Sequence, residues 1–499
     1  MRRVHLLCIA PNNCKITALQ DGMVYFQPPS KISRLLIAMS FKPASASAPR
    51  FVRALLLLVG TLLLGYAISD HPLYGGEPGF GWSQIMMSAA GVGLMLCALL
   101  PTWIAGSILL LTITSLVMLA FTEITGEIML GSSFRPNYQY DDRLIFKFIP
   151  KRNSVMTRTP LNGGETVTHR INSDGFRGPE LLPVGKVMRV VVYGDSFIHA
   201  YYSSQNETFA GRLGALLAER LGKEVEVINA GVSSYGPDQE SLKMEDELPR
   251  LRPDLVIVSI FAGNDYGDLM RNKMFRLGTD GALVENHWLL DPSIRASFEL
   301  SQRESIIKRA LRSVIGSMGS ADRSRFSNVD FLLEEAGREY WSFVVERNDI
   351  VTNTHTDYYS ADVSLIPKSE SARYKVALME AVMRRIRDTA KKNGAPLAFL
   401  FIPHPVDVTD HYDSWQIDRK RFPDYDGRNQ ISPLEITART MGVPFVSLYD
   451  TYRQHDANSL YFHDDDHWNG AGQLMAAEVM TDYLLAGNFL GIKKNSRRP

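Results

Sequence analysis

Two apolar stretches, Phe51 to Ser69 and Ile85 to about Ile124, decide most of what this chain can fold into. A bilayer offers no water to backbone amides, so such stretches cross it as helices that satisfy their own polar groups. The first has about the length one crossing needs. The second is too long for one ordinary crossing, and its only charged residue is Glu123, near its end. Pro101-Thr102-Trp103 divides it, a turn former followed by an interfacial aromatic. Three transmembrane helices over 51–124 are predicted. A cleaved signal peptide does not fit apolar sequence this deep in a chain; a soluble helical bundle is the alternative.

Basic residues set the orientation. Arg2, Arg3, Lys15, Lys31, Arg34, Lys42, Arg50 and Arg53 precede or enter the first stretch, whereas 70–83 contains no Lys or Arg. Positive charge stays in the cytoplasm, so 1–50 reads as a disordered cytoplasmic leader, with Met23 and Met39 as alternative starts. An odd number of crossings then puts the remainder outside the plasma (inner) membrane. Residues 125–187 read as a lead-in containing the turn-rich Asn172-Ser173-Asp174-Gly175-Phe176-Arg177-Gly178, and 491–499 as a basic tail.

Between these lies an α/β pattern over 188–490. Short β-branched or apolar runs near Arg189, Val225, Leu255, Leu397 and Phe445 alternate with helical patterns, as in a flavodoxin-like parallel sheet. The stretch 266–395 is unusually long for one connection, with helical spacing at Ile306–Ile315 and Ser371–Thr389. It reads equally as a cap over the sheet edge or as a docked helical decoration. A formal net charge of zero gives no support for nucleic-acid binding. Cys8, Cys14 and Cys97 all precede the soluble domain, which excludes a disulfide framework there.

Three segments carry chemistry. Val190-Val191-Val192-Tyr193 runs into Gly194-Asp195-Ser196, leaving a serine at the carboxyl edge of the sheet, where open α/β folds bind ligands. Val256 to Phe261 runs into Ala262-Gly263-Asn264-Asp265. His463-Asp464-Asp465-Asp466-His467-Trp468-Asn469-Gly470 precedes a carboxyl-terminal helix. Ser196 is followed by Phe197-Ile198, so the Gly-x-Ser-x-Gly elbow of α/β-hydrolases is absent. Asp195 and Asp265 suit turn and cap positions. A zinc site at His463 and His467, four residues apart with carboxylates between, is the competing reading of the last segment; otherwise His463 and Asp466 are solvated loop residues. His199 is expected at the surface, and His404, at the same sheet edge, is a candidate substrate contact.

Together these segments resemble the SGNH (GDSL-type) hydrolase superfamily, in its membrane-anchored bacterial form. The resemblance implies Ser196 as nucleophile, His467 as its base, and Asp464, three residues earlier, as the acid that orients the imidazole. It implies an oxyanion hole of the Ser196 amide, the Asn264 carboxamide and one further backbone amide. Spacing puts that third donor at Ser234, where the family usually has glycine; Gly231 and Gly236 are the substitutes. No cofactor and no metal are expected. The implied function is a membrane-anchored serine esterase acting on O-acyl, chiefly O-acetyl, groups of extracytoplasmic carbohydrate. Its rivals are an O-acyltransferase working with a membrane acyltransferase partner, a lipase or lysophospholipase, and a non-catalytic glycan-binding scaffold.

Overall fold

The computed structural model describes residues 48–68, 81–134, 137–303, 305–307, 309, 333, 337–354, 360–366, 368–409, 418, 420–463 and 465–487. The leader up to residue 47, the tail 491–499 and Asp464 lie outside the described residues. Among those described, 48–68 and 81–114 belong to one compact unit, and the residues from Ser115 onward to another.

In the first unit, α1 (Ala48–Ile68), α2 (Trp82–Cys97) and the beginning of α3 (Thr102–Phe134) follow the predicted division. The chain turns at Ala98–Leu100, and the Pro101 carbonyl accepts from the amides of Ile104 and Ala105 to start α3. The α1 and α2 backbones approach closely: a Cβ added at Gly60 would lie 2.6 Å from the Gly91 carbonyl. Small residues permit such crossings between apolar helices.

Among the described residues, two helices are long and apolar enough to cross a membrane, over Pro49–Ile68 and Thr102–Met129, while the apolar part of α2, Gln84–Cys97, is shorter. At about 1.5 Å per residue it falls short of a hydrocarbon core of about 30 Å. The predicted count of three therefore rests on α2, and the predicted extracytoplasmic placement of 188–490 rests with it. We expect α2 to cross at a thinned or tightly packed point. A reporter active only outside the cytoplasm, fused after Pro499, should be on, and the same reporter fused near Arg50 should be off. A silent carboxyl-terminal fusion would mean two crossings.

The second unit is built on five parallel strands, β1 (Met188–Tyr193), β2 (Val225–Asn229), β3 (Leu255–Phe261), β4 (Leu397–Ile402) and β5 (Phe445–Ser447), in the order β5-β4-β3-β1-β2. That is the flavodoxin-like order, with its switch point between β1 and β3. Every residue of β3 is buried, as a parallel sheet covered on both faces requires. The helices are α4 (Ser196–His199), α5 (Phe209–Leu221), α6 (Pro237–Leu251), α7 (Asp265–Asn272), α8 (Pro292–Arg303), α9 (Glu370–Lys392), α10 (Pro405–Val408), α11 (Arg428–Thr440), α12 (Tyr449–Arg453) and α13 (Gly470–Ala486).

In α9, Leu378, Met379, Val382, Met383 and Ile386 recur at helical spacing and are all fully buried. This helix is the crossover into β4, so the extra sequence predicted over 266–395 stops short of it.

The lead-in is structured. Tyr138–Asp141 pairs with Ile145–Phe148, and Asn153–Thr157 with Thr166–Arg170, each antiparallel. Asn172 Oδ1 accepts from the amides of Asp174 and Phe176, which folds the turn-rich motif. The buried Arg177 guanidinium then donates to the carbonyls of His199, Ala200 and Ser203. The lead-in thus grips the segment just after Ser196.

Candidate active site

Strand β1 delivers Ser196. Gly194 allows the turn, because a Cβ there would lie 2.3 Å from Ile198 and 3.1 Å from Ser259. Asp195 caps α4 by accepting from the Phe197 amide at 2.9 Å, the cap role read from sequence. Asp265 likewise accepts from the Phe261 amide at 2.7 Å. Burial raises the Asp195 carboxyl to about 6, against the opposing pull of the Phe197 amide and the His467 charge. Ser196 begins α4, so its amide has no intrahelical acceptor.

His467 lies on the short strand Asp465–Trp468, which pairs with Tyr461–Phe462. In a strand, residues two apart share a face. The carboxylate at Nδ1 of His467 is that of Asp465, whereas Asp464, the residue expected from sequence, lies outside the described residues. Asp465 also accepts from the His467 amide at 2.9 Å and from the Tyr202 hydroxyl. Burial disfavours the charged imidazolium, but the paired Asp465 outweighs it and holds His467 up at about 9. The same pair keeps Asp465 well below the usual carboxylate range in spite of its burial.

The strand is fastened to α4: Trp468 Nε1 donates to the Phe197 carbonyl at 2.9 Å, and the Phe197 and His467 rings stack at 5.0 Å. The Ser196 hydroxyl lies 3.4 Å from Asp195 Oδ2 and makes no hydrogen bond to His467. Such contacts commonly tighten only when substrate binds.

The loop after β2 supplies backbone amides. Those of Gly231 and Gly236 are taken by Asn229 Oδ1 at 3.1 Å and Gln239 Oε1 at 3.1 Å, which removes both substitutes for the third donor. The Ser234 amide has no acceptor among the described residues. Ser234 has φ +65°, the left-handed region that favours glycine. The position keeps the conformation the glycine would have had. Arg271 Nη2 donates to the Ser234 carbonyl at 2.7 Å, from the same helix that Asn264 caps.

Asn264 is 6% exposed, and its Oδ1 has no partner among the described residues. A buried carboxamide oxygen left without a hydrogen bond is costly, roughly 1–3 kcal/mol, and such groups call for a functional explanation. Asn264→Ala is expected to reduce ester turnover on the order of 10²-fold while leaving thermal unfolding nearly unchanged. Steady-state kinetics with a melting curve would check both.

The remaining sequence candidates separate. His463 is at the surface, its amide bonded to Asn162 Oδ1 at 3.0 Å. Asp466 is no free loop residue: its carboxylate lies 3.5 Å from His467 Nδ1 and 3.5 Å from His404 Nε2. The Val406 amide donates to His404 Nδ1 at 3.3 Å, so the proton of that ring sits on Nε2 and faces Asp466. Asp465, Asp466 and His467 have ligand atoms close enough to hold a metal ion, whereas His463 is not among that group. His199, expected at the surface, is fully buried. Asp465 was legible through the two-residue strand period; Asp466, Tyr202 and Arg271 had no signal in sequence.

Residues 192–474 match the model of the GDSL-like lipase/acylhydrolase family. No curated protein matches the chain. Among solved structures, TesA is 12% identical, with 60% of this chain and 98% of that one covered and a TM-score of 0.31. The psychrotrophic esterase EstA from Pseudoalteromonas sp. is 11% identical over 60% of this chain and 98% of that chain, with a TM-score of 0.31. A two-domain esterase active on acetylated mannans is 12% identical over 63% of this chain and 52% of that chain, also at 0.31.

Proposed function

Because the chain belongs to the GDSL-like lipase/acylhydrolase family and is thus a serine hydrolase of ester bonds, we propose that it works through Ser196, His467 and Asp465. Ser196 Oγ attacks the acyl carbon while His467 takes its proton. The carbonyl oxygen gains negative charge between the Ser196 amide, the Ser234 amide and the Asn264 carboxamide. As the carbon–oxygen ester bond breaks, His467 returns the proton to the departing alcohol. Water, deprotonated by His467, then releases the acyl group as a free acid and restores Ser196. The observation that carries this reading is the Asp465–His467 pair, fastened through Trp468 to the residue after Ser196.

The substrate we propose is an O-acyl, chiefly O-acetyl, ester of extracytoplasmic carbohydrate. Apolar side chains exposed along α1 and α3 support anchoring in a membrane. The detergent-purified full chain should release acetate from an aryl acetate in EDTA as well as without it. Added sugar oligomers should not divert the acetyl group. Acetylated oligomer as the main product, with little free acetate, would make the protein a transferase. Loss of activity in EDTA, restored by zinc, would place a metal on Asp465, Asp466 and His467.

A further inference from the structure

The third oxyanion donor is the least secured of the three by local structure. A serine in the left-handed region costs roughly 1 kcal/mol or more relative to glycine. Rotation of the peptide between Ser233 and Ser234 would relieve that cost and turn the amide away from the site. The side chain of the preceding residue opposes the rotation, while Arg271 fixes the peptide that follows. Arg271 holds the Ser234 carbonyl at 2.7 Å. On the other side, Ser233 Oγ lies 2.6 Å from His199 Nδ1 and also bonds the Tyr138 hydroxyl.

His199 is the last residue of α4, three positions after Ser196. Its ring is enclosed by Phe148 at 4.9 Å, His169 at 5.4 Å and Tyr201 at 5.7 Å. Its Nε2 is buried without a partner. The single proton of a neutral ring is therefore best placed on Nδ1, donating to Ser233. Burial first, then the neighbouring His169 ring and the Arg177 charge, keeps the ring neutral. Arg177 fixes the backbone of the same residue by donating to its carbonyl. A buried histidine with one hydrogen bond, aimed at the residue before an oxyanion donor, has little stabilising purpose; a Phe would pack as well.

We propose that His199 is a positioning residue that, through Ser233, holds the Ser234 amide in the oxyanion hole, tying that loop to the helix of the nucleophile. This rests on the Ser196 reading above. The test is the rate at which an aryl fluorophosphonate labels the full chain in detergent, together with kcat and KM on an aryl acetate. Ser233→Ala and His199→Phe should each slow labelling and lower kcat by about tenfold, with KM little changed. The double variant should be no slower than the slower single variant, as for two ends of one contact. His199→Asn, whose Nδ2 replaces the Nδ1 donor, should recover most of the rate.

Wild-type labelling by Ser233→Ala, losses that multiply in the double variant, or an effect confined to KM would each overturn the inference. Should His199→Phe not fold, Ser233→Ala decides alone. A wild-type protein that resists the probe removes the nucleophile reading, and the inference with it. A labelled wild type beside an equally labelled Ser233→Ala removes the inference only.

Discussion

Ser196→Ala in the full-length protein is expected to abolish fluorophosphonate labelling and to lower ester turnover by about 10⁴- to 10⁶-fold. The hydroxyl forms the covalent bond, and the side chain it contacts does not replace it: Asp195, 3.4 Å away, is a buried cap whose Oδ1 is engaged by the Phe197 amide. His467→Ala should cost about as much, because nucleophile and base act as a unit and neither retains its function alone. Mass spectrometry of the labelled peptide would locate the adduct. An adduct on Ser196→Ala at the wild-type rate would end the assignment.

Asp465→Asn should lower kcat by about 10⁴-fold and also move the pH profile. In the wild type, His467 works as a base only when neutral. Its proton is held up to about 9 by Asp465, in spite of burial. The kcat/KM of the free enzyme should therefore keep rising with pH through the alkaline range and level off above about 9. With asparagine at 465 the largest opposing charge is gone while burial remains, and Asp466 and Asp195 offset only part of it, so the rising limb should shift to lower pH. Asp464→Asn is the paired control. The larger loss identifies the acid, and a larger loss at Asp464 would restore the three-residue spacing. A profile with its limb near 6.5 would show that Asp465 does not hold the imidazolium.

The sheet was legible because each strand is a short apolar run ending on turn residues, and β1 and β3 end on the very segments that carry Ser196 and Asn264. His467 was legible by its place before a carboxyl-terminal helix. Asp464, the acid read from sequence, lies outside the described residues; within the strand Asp465–Trp468, the two-residue period puts Asp465 on the face of His467. Arg177, His199 and Arg271 were illegible for another reason: each acts on carbonyls or a hydroxyl brought near only by the tertiary fold. The insertion was overdrawn because α9 follows a long irregular stretch, and helical periodicity does not say whether a helix is a sheet's own crossover.

Ser234 separates what is inherited from what is spelled. On the proposed assignment the reaction sees only a main-chain N–H, so selection acts at this position on a torsion angle and not on a letter of the alphabet. Two descendants of one ancestral enzyme can differ here, one with a residue that falls into the angle freely and one with a residue pressed into it. Their chemistry is the same, but their mutational freedom is not. The second lineage depends on its clamps: Arg271 becomes hard to lose once the glycine is gone, and the order in which such changes accumulate becomes constrained.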